Sequence, residues 1–314
     1  MARRLATVFG GSGFIGRYVV QMLAKRGWMV RAAVRRPDEA LFLKPLGEIG
    51  QITPIAANLR HQGSVEAAVA GADAVVNLVG LLYQRGRQRF DAIHVEGAGR
   101  AAAAARKAGA SRFIQISAVG ADPASAAAYA RTKAAGEAAV KAAFPDATVL
   151  RPSIVFGPED QFFNRFAQMA RMTPVLPLIG GGHTRFQPIY VGDVAQAVMA
   201  AIEQRDAAGK TYELGGPEIR SFRELMELML AEIERKRILL PVPFTIANLQ
   251  AEFLEWLPVP PLTRDQVRLL KRDNVVSPGM PGLKELGVDA TALELILPTY
   301  LARYRPGGRH LSMA

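Results

Sequence analysis

Tyr129 and Lys133 stand four residues apart in a segment, residues 126–144, whose alanine-rich composition predicts a helix. On a helix that spacing puts both side chains on one face, where an ammonium lowers a phenol pKa and also reaches a sugar hydroxyl. A phenol so placed is a general acid or base. The spacing alone is a common accident, so the pair needs a setting, and other residues supply one. Gly10-Gly11-Ser12-Gly13-Phe14-Ile15-Gly16 satisfies both G-x-x-G-x-x-G and G-x-G-x-x-G between a predicted strand and a predicted helix. In that context backbone N–H groups at the helix start stabilise a pyrophosphate. The bland alternative is a glycine-rich turn with no ligand. Arg35 and Arg36 follow the second predicted strand, where an NAD site usually places a carboxylate for the ribose 2′-OH. Two guanidiniums there suit a 2′-phosphate and point to NADP(H), against the alternative of solvated loop charges. Asn58 and Leu59 follow the third strand, in reach of an adenine. Asn77, Val79 and Gly80 close the fourth, where glycine lets the chain pass close to a cofactor.

These residues need a sheet to hold them in register. Strand-like runs at 5–9, 28–34, 51–56, 74–79, 113–117 and 148–150 alternate with helix-like segments at 17–23, 64–70, 92–108 and 126–144. The alternation predicts an α/β fold: a Rossmann-type, doubly wound parallel sheet over residues 1–150. Residues 151–314 read as a smaller, mostly helical C-terminal portion, partly interleaved with that core. Asp193 is placed to cap a helix at 194–203 and Ser221 one at 222–235. Thr263 and Gln266 form a capping box that opens a basic helix through Arg272. Asp160 reads as a loop acid.

Composition narrows the function classes. The 39 Lys and Arg against 28 Asp and Glu leave a formal charge of +11. That surplus favours an anionic partner: a phosphorylated cofactor, an anionic membrane surface or an acidic protein. The basic residues are scattered, without aromatic interleaving, which argues against nucleic acid. The chain has no cysteine, excluding disulfides and thiolate catalysis. His61, His94, His183 and His310 are far apart and form no metal-binding pair, so no metal is expected. No apolar run reaches the length of a membrane span. The first strand begins within five residues of Met1, the pattern of a bacterial cytoplasmic protein or of a processed one. In the apolar stretch 239–262, Ile246, Leu249, Phe253, Trp256 and Leu257 fall on one side of a helix. Beside Arg264, Arg268, Lys271 and Arg272, that side suits lipid headgroups or a partner protein; equally it suits the core of the second half.

The glycine loop, Asn77–Gly80, Tyr129 with Lys133, and Arg151-Pro152-Ser153 occur in the order of the extended short-chain dehydrogenase/reductase superfamily, which the chain resembles over its first half. The resemblance implies that Tyr129 is the acid/base, that Lys133 holds the nicotinamide ribose and that Arg151 and Pro152 belong to the cofactor site. It also implies a Ser or Thr donor just past the fifth strand. The best register puts Ala118 there, with Ser117 one residue early; a bulge at the strand end would bring Ser117 in. Over the whole chain, residues 151–160, 186–195 and especially 262–277 are similar to one subgroup: the NADPH-binding, dehydrogenase-like accessory subunit of respiratory complex I and its bacterial relatives. That resemblance implies tightly held NADPH, little or no turnover, and other complex I subunits as partners at the cytoplasmic face of the inner membrane. Against it stand a freestanding NADP(H)-dependent oxidoreductase or epimerase acting on a lipid-like or isoprenoid carbonyl, and a soluble nucleotide-ratio sensor.

Overall fold

The structure, a computed structural model, describes residues 4–308; His310 lies outside the described residues. Six strands open the chain: β1 (Leu5–Phe9), β2 (Met29–Val34), β3 (Ile52–Ala56), β4 (Ala74–Asn77), β5 (Arg112–Ile116) and β6 (Thr148–Pro152). Between them lie α1 (Phe14–Lys25), α2 (Gln62–Val69), α3 (Glu96–Lys107) and α4 (Ala128–Ala143). The sheet runs β3-β2-β1-β4-β5-β6, with a seventh strand, Thr211–Leu214, beside β6, and every pairing is parallel. The order reverses between β1 and β4, and ligands of such folds bind beyond the carboxyl ends of the strands at that point. β4 is buried at all four positions, Ala-Val-Val-Asn, as a central parallel strand covered on both faces must be.

Small side chains set how closely the helices approach. A Cβ on Gly99 would lie 3.3 Å from Ala139 Cβ, and one on Gly136 would lie 2.0 Å from His94 O, so α4 packs closely on α3 and almost backbone to backbone on the turn before it. With α2 they bury Val65, Val69, Ala98, Ala101, Ala105, Phe113 and Val140 on one face of the sheet. The helix Val191–Glu203 packs against α1. Asp193 is buried inside the first turn of this helix instead of capping it. The compact unit so formed takes in the chain up to Pro152, Val191–Leu214 and Pro278–Asp289. The seventh strand is not evident from sequence, because Thr-Tyr-Glu-Leu alternates over only four residues, too few to stand out from chance.

The second unit comprises Ser153–Tyr190, Gly215–Ser277 and the chain from Ala290. Helices Phe163–Met172, Phe222–Glu232 and Leu293–Leu301 enclose Phe156, Leu225, Met226, Met229 and Leu297. Ser221 and Glu224 form one capping box and Thr263 and Gln266 another; the latter opens a helix that ends at Leu269, short of Arg272. Asp160 is a buried hub. It accepts from the N–H groups of Gly157, Phe162 and Asn164 and, at 2.5 Å, from the Tyr300 hydroxyl. The stretch 262–277 ties loops of this unit together. Asn274 Oδ1 accepts from Ile154 N–H and lies 2.7 Å from Ser153 Oγ, while Asp273 pairs with Arg185. Among the described residues no helix is long and apolar enough to cross a membrane, and no cluster of potential metal ligands occurs.

Candidate functional site

The glycine loop joins β1 to α1 at the switch point. Gly10 has φ +77°, a conformation that glycine adopts without strain, and its N–H donates to Ala33 O at 3.0 Å. A Cβ on Gly16 would sit 2.2 Å from Gly10 O and 2.8 Å from Gly11, so only glycine lets α1 start this close to the loop. Gly13 is the N-cap of α1, with no side-chain cap and no acid in the first turn. The first N–H groups of a helix have no partner within it. Here they face the positive end of the macrodipole without a competing carboxylate, the donor set that suits a diphosphate. The residues present therefore fit a dinucleotide.

At the end of β2 both arginines are exposed. Arg36 is paired with Glu39, and that contact holds its pKa above the ordinary guanidinium value. Arg35 has no hydrogen bond or ion pair among the described residues, which makes it the better partner for an added phosphate. Beyond β3, Asn58 Oδ1 accepts from Arg60 N–H, an Asx-type turn, and Leu59 is buried against α3. Its carbonyl already accepts from Arg100 Nη1, so little of Leu59 is open to a ligand.

Asn77 is fully buried and does not face outward. Its Oδ1 accepts from Val79 N–H and its Nδ2 donates to Gln115 Oε1 at 2.9 Å. It shapes the turn that carries Gly80, where a Cβ would lie 3.3 Å from Lys133 Nζ. Lys133 is buried, with Nζ 3.4 Å from Ile116 O and 5.7 Å from the Tyr129 ring centroid. The pair expected from sequence is therefore assembled, but its electrostatics differ from expectation. Burial raises the Tyr129 phenol to about 12 and lowers the Lys133 ammonium to about 8, the latter opposed by the Glu137 carboxylate. Desolvation outweighs the attraction between them.

His94 belongs to this cluster, although the sequence assigns it no role. It lies in a π-turn, Asp91–Val95, that precedes α3; such turns recur at functional sites. Leu81 N–H donates to His94 Nε2 at 2.9 Å, so the proton must sit on Nδ1, which donates to Thr132 Oγ1 at 3.1 Å. The ring stacks on Phe90 and meets Tyr129 edge-on, with centroids 5.1 and 5.6 Å apart. Burial, reinforced by the Lys133 charge, lowers its pKa to about 3, so His94 is neutral. The signal that could have found it is its place just ahead of a long helix, in line with α4.

Two expectations change. Past β5, Ser117 N–H donates to Leu150 O and Val119 N–H to Pro152 O, an unbroken register with no bulge. Ser117 and Ala118 therefore point to opposite faces. Ser117 Oγ is buried and has no hydrogen-bond partner among the described residues. The Arg151 side chain is also engaged elsewhere. Its guanidinium makes bonds of 2.8 and 2.6 Å to Glu137 and one of 3.3 Å to Glu213. It fixes the charge one helical turn beyond Lys133 and has no free fork for a phosphate. Pro152 ends β6 beside it.

The profile of the NAD dependent epimerase/dehydratase family matches residues 6–215. NADH dehydrogenase (ubiquinone) 1 alpha subcomplex subunit 9, mitochondrial, of Arabidopsis thaliana is 38% identical, covering 97% of this chain and 79% of that protein. The ceramide reductase of Caulobacter vibrioides is 35% identical, covering 63% of this chain and 61% of that enzyme. Among solved structures, the dTDP-glucose 4,6-dehydratase DesIV of Streptomyces venezuelae superposes with a TM-score of 0.73 at 18% identity, over 96% of both chains. With the glycine loop, the β1–β4 switch point and the Tyr129–Lys133 helix in one unit, this chain belongs to the NAD dependent epimerase/dehydratase family, the extended short-chain dehydrogenase/reductases, and is similar along nearly its whole length to complex I subunits.

Proposed function

We propose that this chain is a bacterial NADP(H)-binding accessory subunit of respiratory complex I, in which the cofactor has a structural or sensing part. The observation that carries the reading is its likeness, along nearly the whole chain, to a complex I subunit. The unbroken register at Ser117–Val119 supports it, since the donor position for carbonyl chemistry falls on Ala118. Gly10 and Gly13 spend their N–H groups within the fold, so those of Gly11, Ser12, Phe14, Ile15 and Gly16 would hold the diphosphate. Arg35 would take the 2′-phosphate, with Arg36 beside it, and the Asn58–Leu59 turn the adenine. Val79 and Gly80 would line the nicotinamide side, and Tyr129 and Lys133 would hold the ribose. When bound, NADP(H) supplies a nicotinamide able to give or take a hydride; in this reading that capacity goes unused. The chain would sit with other complex I subunits at the cytoplasmic face of the inner membrane, its 239–272 region toward lipid headgroups.

Two measurements test this. Native membranes solubilised in mild detergent should show the chain co-migrating with NADH:quinone oxidoreductase activity; a chain wholly in the soluble fraction overturns the subunit reading. Nucleotide released by denaturing the pure protein should be NADP(H), and Arg35→Ser should lower its content; NAD in its place overturns the Arg35 argument. One observation favours a freestanding oxidoreductase: Tyr129 and Lys133 remain together, with Lys133 Nζ 5.7 Å from the Tyr129 ring centroid. Oxidation of bound NADPH by a carbonyl substrate, abolished in Tyr129→Phe, would establish that alternative.

A further inference from the structure

We infer that residues 244–261 form a shallow apolar wedge that enters the interface of an anionic lipid bilayer, with the basic residues after it on the headgroups. This rests on the peripheral-membrane part of the proposed function and names the side chains and the depth. The helix Phe244–Leu254 buries only Ala247 and Ala251, one turn apart, so it packs inward through a stripe of small residues. The opposite face carries Ile246, Leu249 and Phe253, exposed by 49, 60 and 70%. The following turn adds Trp256 at 89%, Leu257 at 48% and Val259 at 68%. Of the five residues predicted to share one helix side, Ile246, Leu249 and Phe253 do so and are not core, while Trp256 and Leu257 lie beyond the helix end.

So many consecutive large apolar side chains in water require a cover. The wedge stands proud: a tryptophan almost wholly exposed at the end of an amphipathic helix has the form of an interfacial anchor, not of a socket for another protein's side chain. Acids on the flank are neutralised locally. Arg264 lies 3.1 Å from Glu255 and 3.8 Å from Glu252. Arg268 lies 3.8 Å from Asp265, and Lys271 and Arg272 are exposed. Four cations against three acids over 244–272 leave one net positive charge, in a chain whose overall formal charge is +11. Burial of the wedge therefore supplies most of the affinity and charge a moderate preference for anionic lipid.

The test is flotation of the purified chain with vesicles of mixed phosphatidylcholine and phosphatidylglycerol, and of phosphatidylcholine alone. Trp28 is buried and Trp256 exposed, so a blue shift of emission on adding vesicles reports Trp256. We expect co-flotation and a blue shift with the mixed vesicles, and binding several-fold weaker without anionic lipid. Phe253→Ser and Trp256→Ser should each weaken binding about tenfold. Both sites are exposed, so neither change threatens the fold. A chain that stays in the soluble fraction with both vesicles overturns the inference, as does a Trp256→Ser chain that floats like the parent. A blue shift only with solubilised complex I would assign the wedge to a protein and also overturn it. None of these outcomes depends on co-migration with complex I, so failure of the subunit reading is seen separately.

Discussion

Arg151→Met removes the cation that holds two buried carboxylates on different elements. Glu137 and Glu213 are 7 and 3% exposed, and the Arg151 side chain reaches them with three hydrogen bonds between 2.6 and 3.3 Å. Methionine fills much of the volume but donates nothing, leaving two like charges in a dry space. Removing one partner from a buried ion pair costs about 3–5 kcal/mol. At roughly 2 °C per kcal/mol for a chain of this size, the melting temperature should fall by about 6–10 °C. The cost depends on pH. In the variant two buried carboxylates are left without their cation, an arrangement that acid relieves. The gap between parent and variant should thus be widest at neutral pH and narrow on acidification. A second readout separates this from simple loss of packing. Glu137 already raises the Lys133 pKa against burial, and without Arg151 it should move Lys133 upward from about 8. Thermal melts across pH, with the lysine titration followed by NMR, test both effects. A pH-independent loss below about 1 kcal/mol, the size of an exposed pair, would refute the reasoning.

Lys133→Met should remove a pH dependence on the alkaline side. Its folded pKa, about 8, lies below the ordinary 10.5, so the parent gains stability as pH rises between them, and the variant should be flat there and melt higher at neutral pH. It should also lose nucleotide. His94→Phe leaves Leu81 N–H and Thr132 Oγ1 without their partner and should cost about 1–3 kcal/mol at neutral pH by denaturant melts. In the parent, stability should fall as pH drops from 6.5 towards about 3, because the imidazole protonates only in the unfolded chain; the variant should lack that slope. Gly16→Ala, whose Cβ would meet Gly10 O at 2.2 Å, should displace the loop and strip nucleotide from the purified protein. Gly13→Ala, with its nearest atom at 3.2 Å, should retain more.

What was legible in the sequence is what short-range physics writes there. The glycine loop is local because φ of +77° at Gly10 and a backbone contact at Gly16 each dictate a residue type. Alternation gave the six strands to within two residues at most ends, and the four-residue spacing put Tyr129 and Lys133 on one helix face. The capping boxes at Ser221 and Thr263 are four-residue signals and formed as expected. Everything set by groups distant in sequence needed the tertiary structure. Arg151 is spent on Glu137 and Glu213, His94 is locked by Leu81 and Thr132, and Asn274 ties down Ser153 and Ile154. Periodicity could show that Ile246, Leu249 and Phe253 share a side. It could not show whether anything covers that side, because the helix docks through Ala247 and Ala251, whose small side chains carry little pattern. The sequence alone determined that a dinucleotide-binding α/β fold would form, since each part of that motif is a constraint on neighbouring residues. The tertiary structure decided which charges are already spent, which hydroxyl is stranded and which apolar face meets solvent, because those depend on the partners that long-range packing brings together.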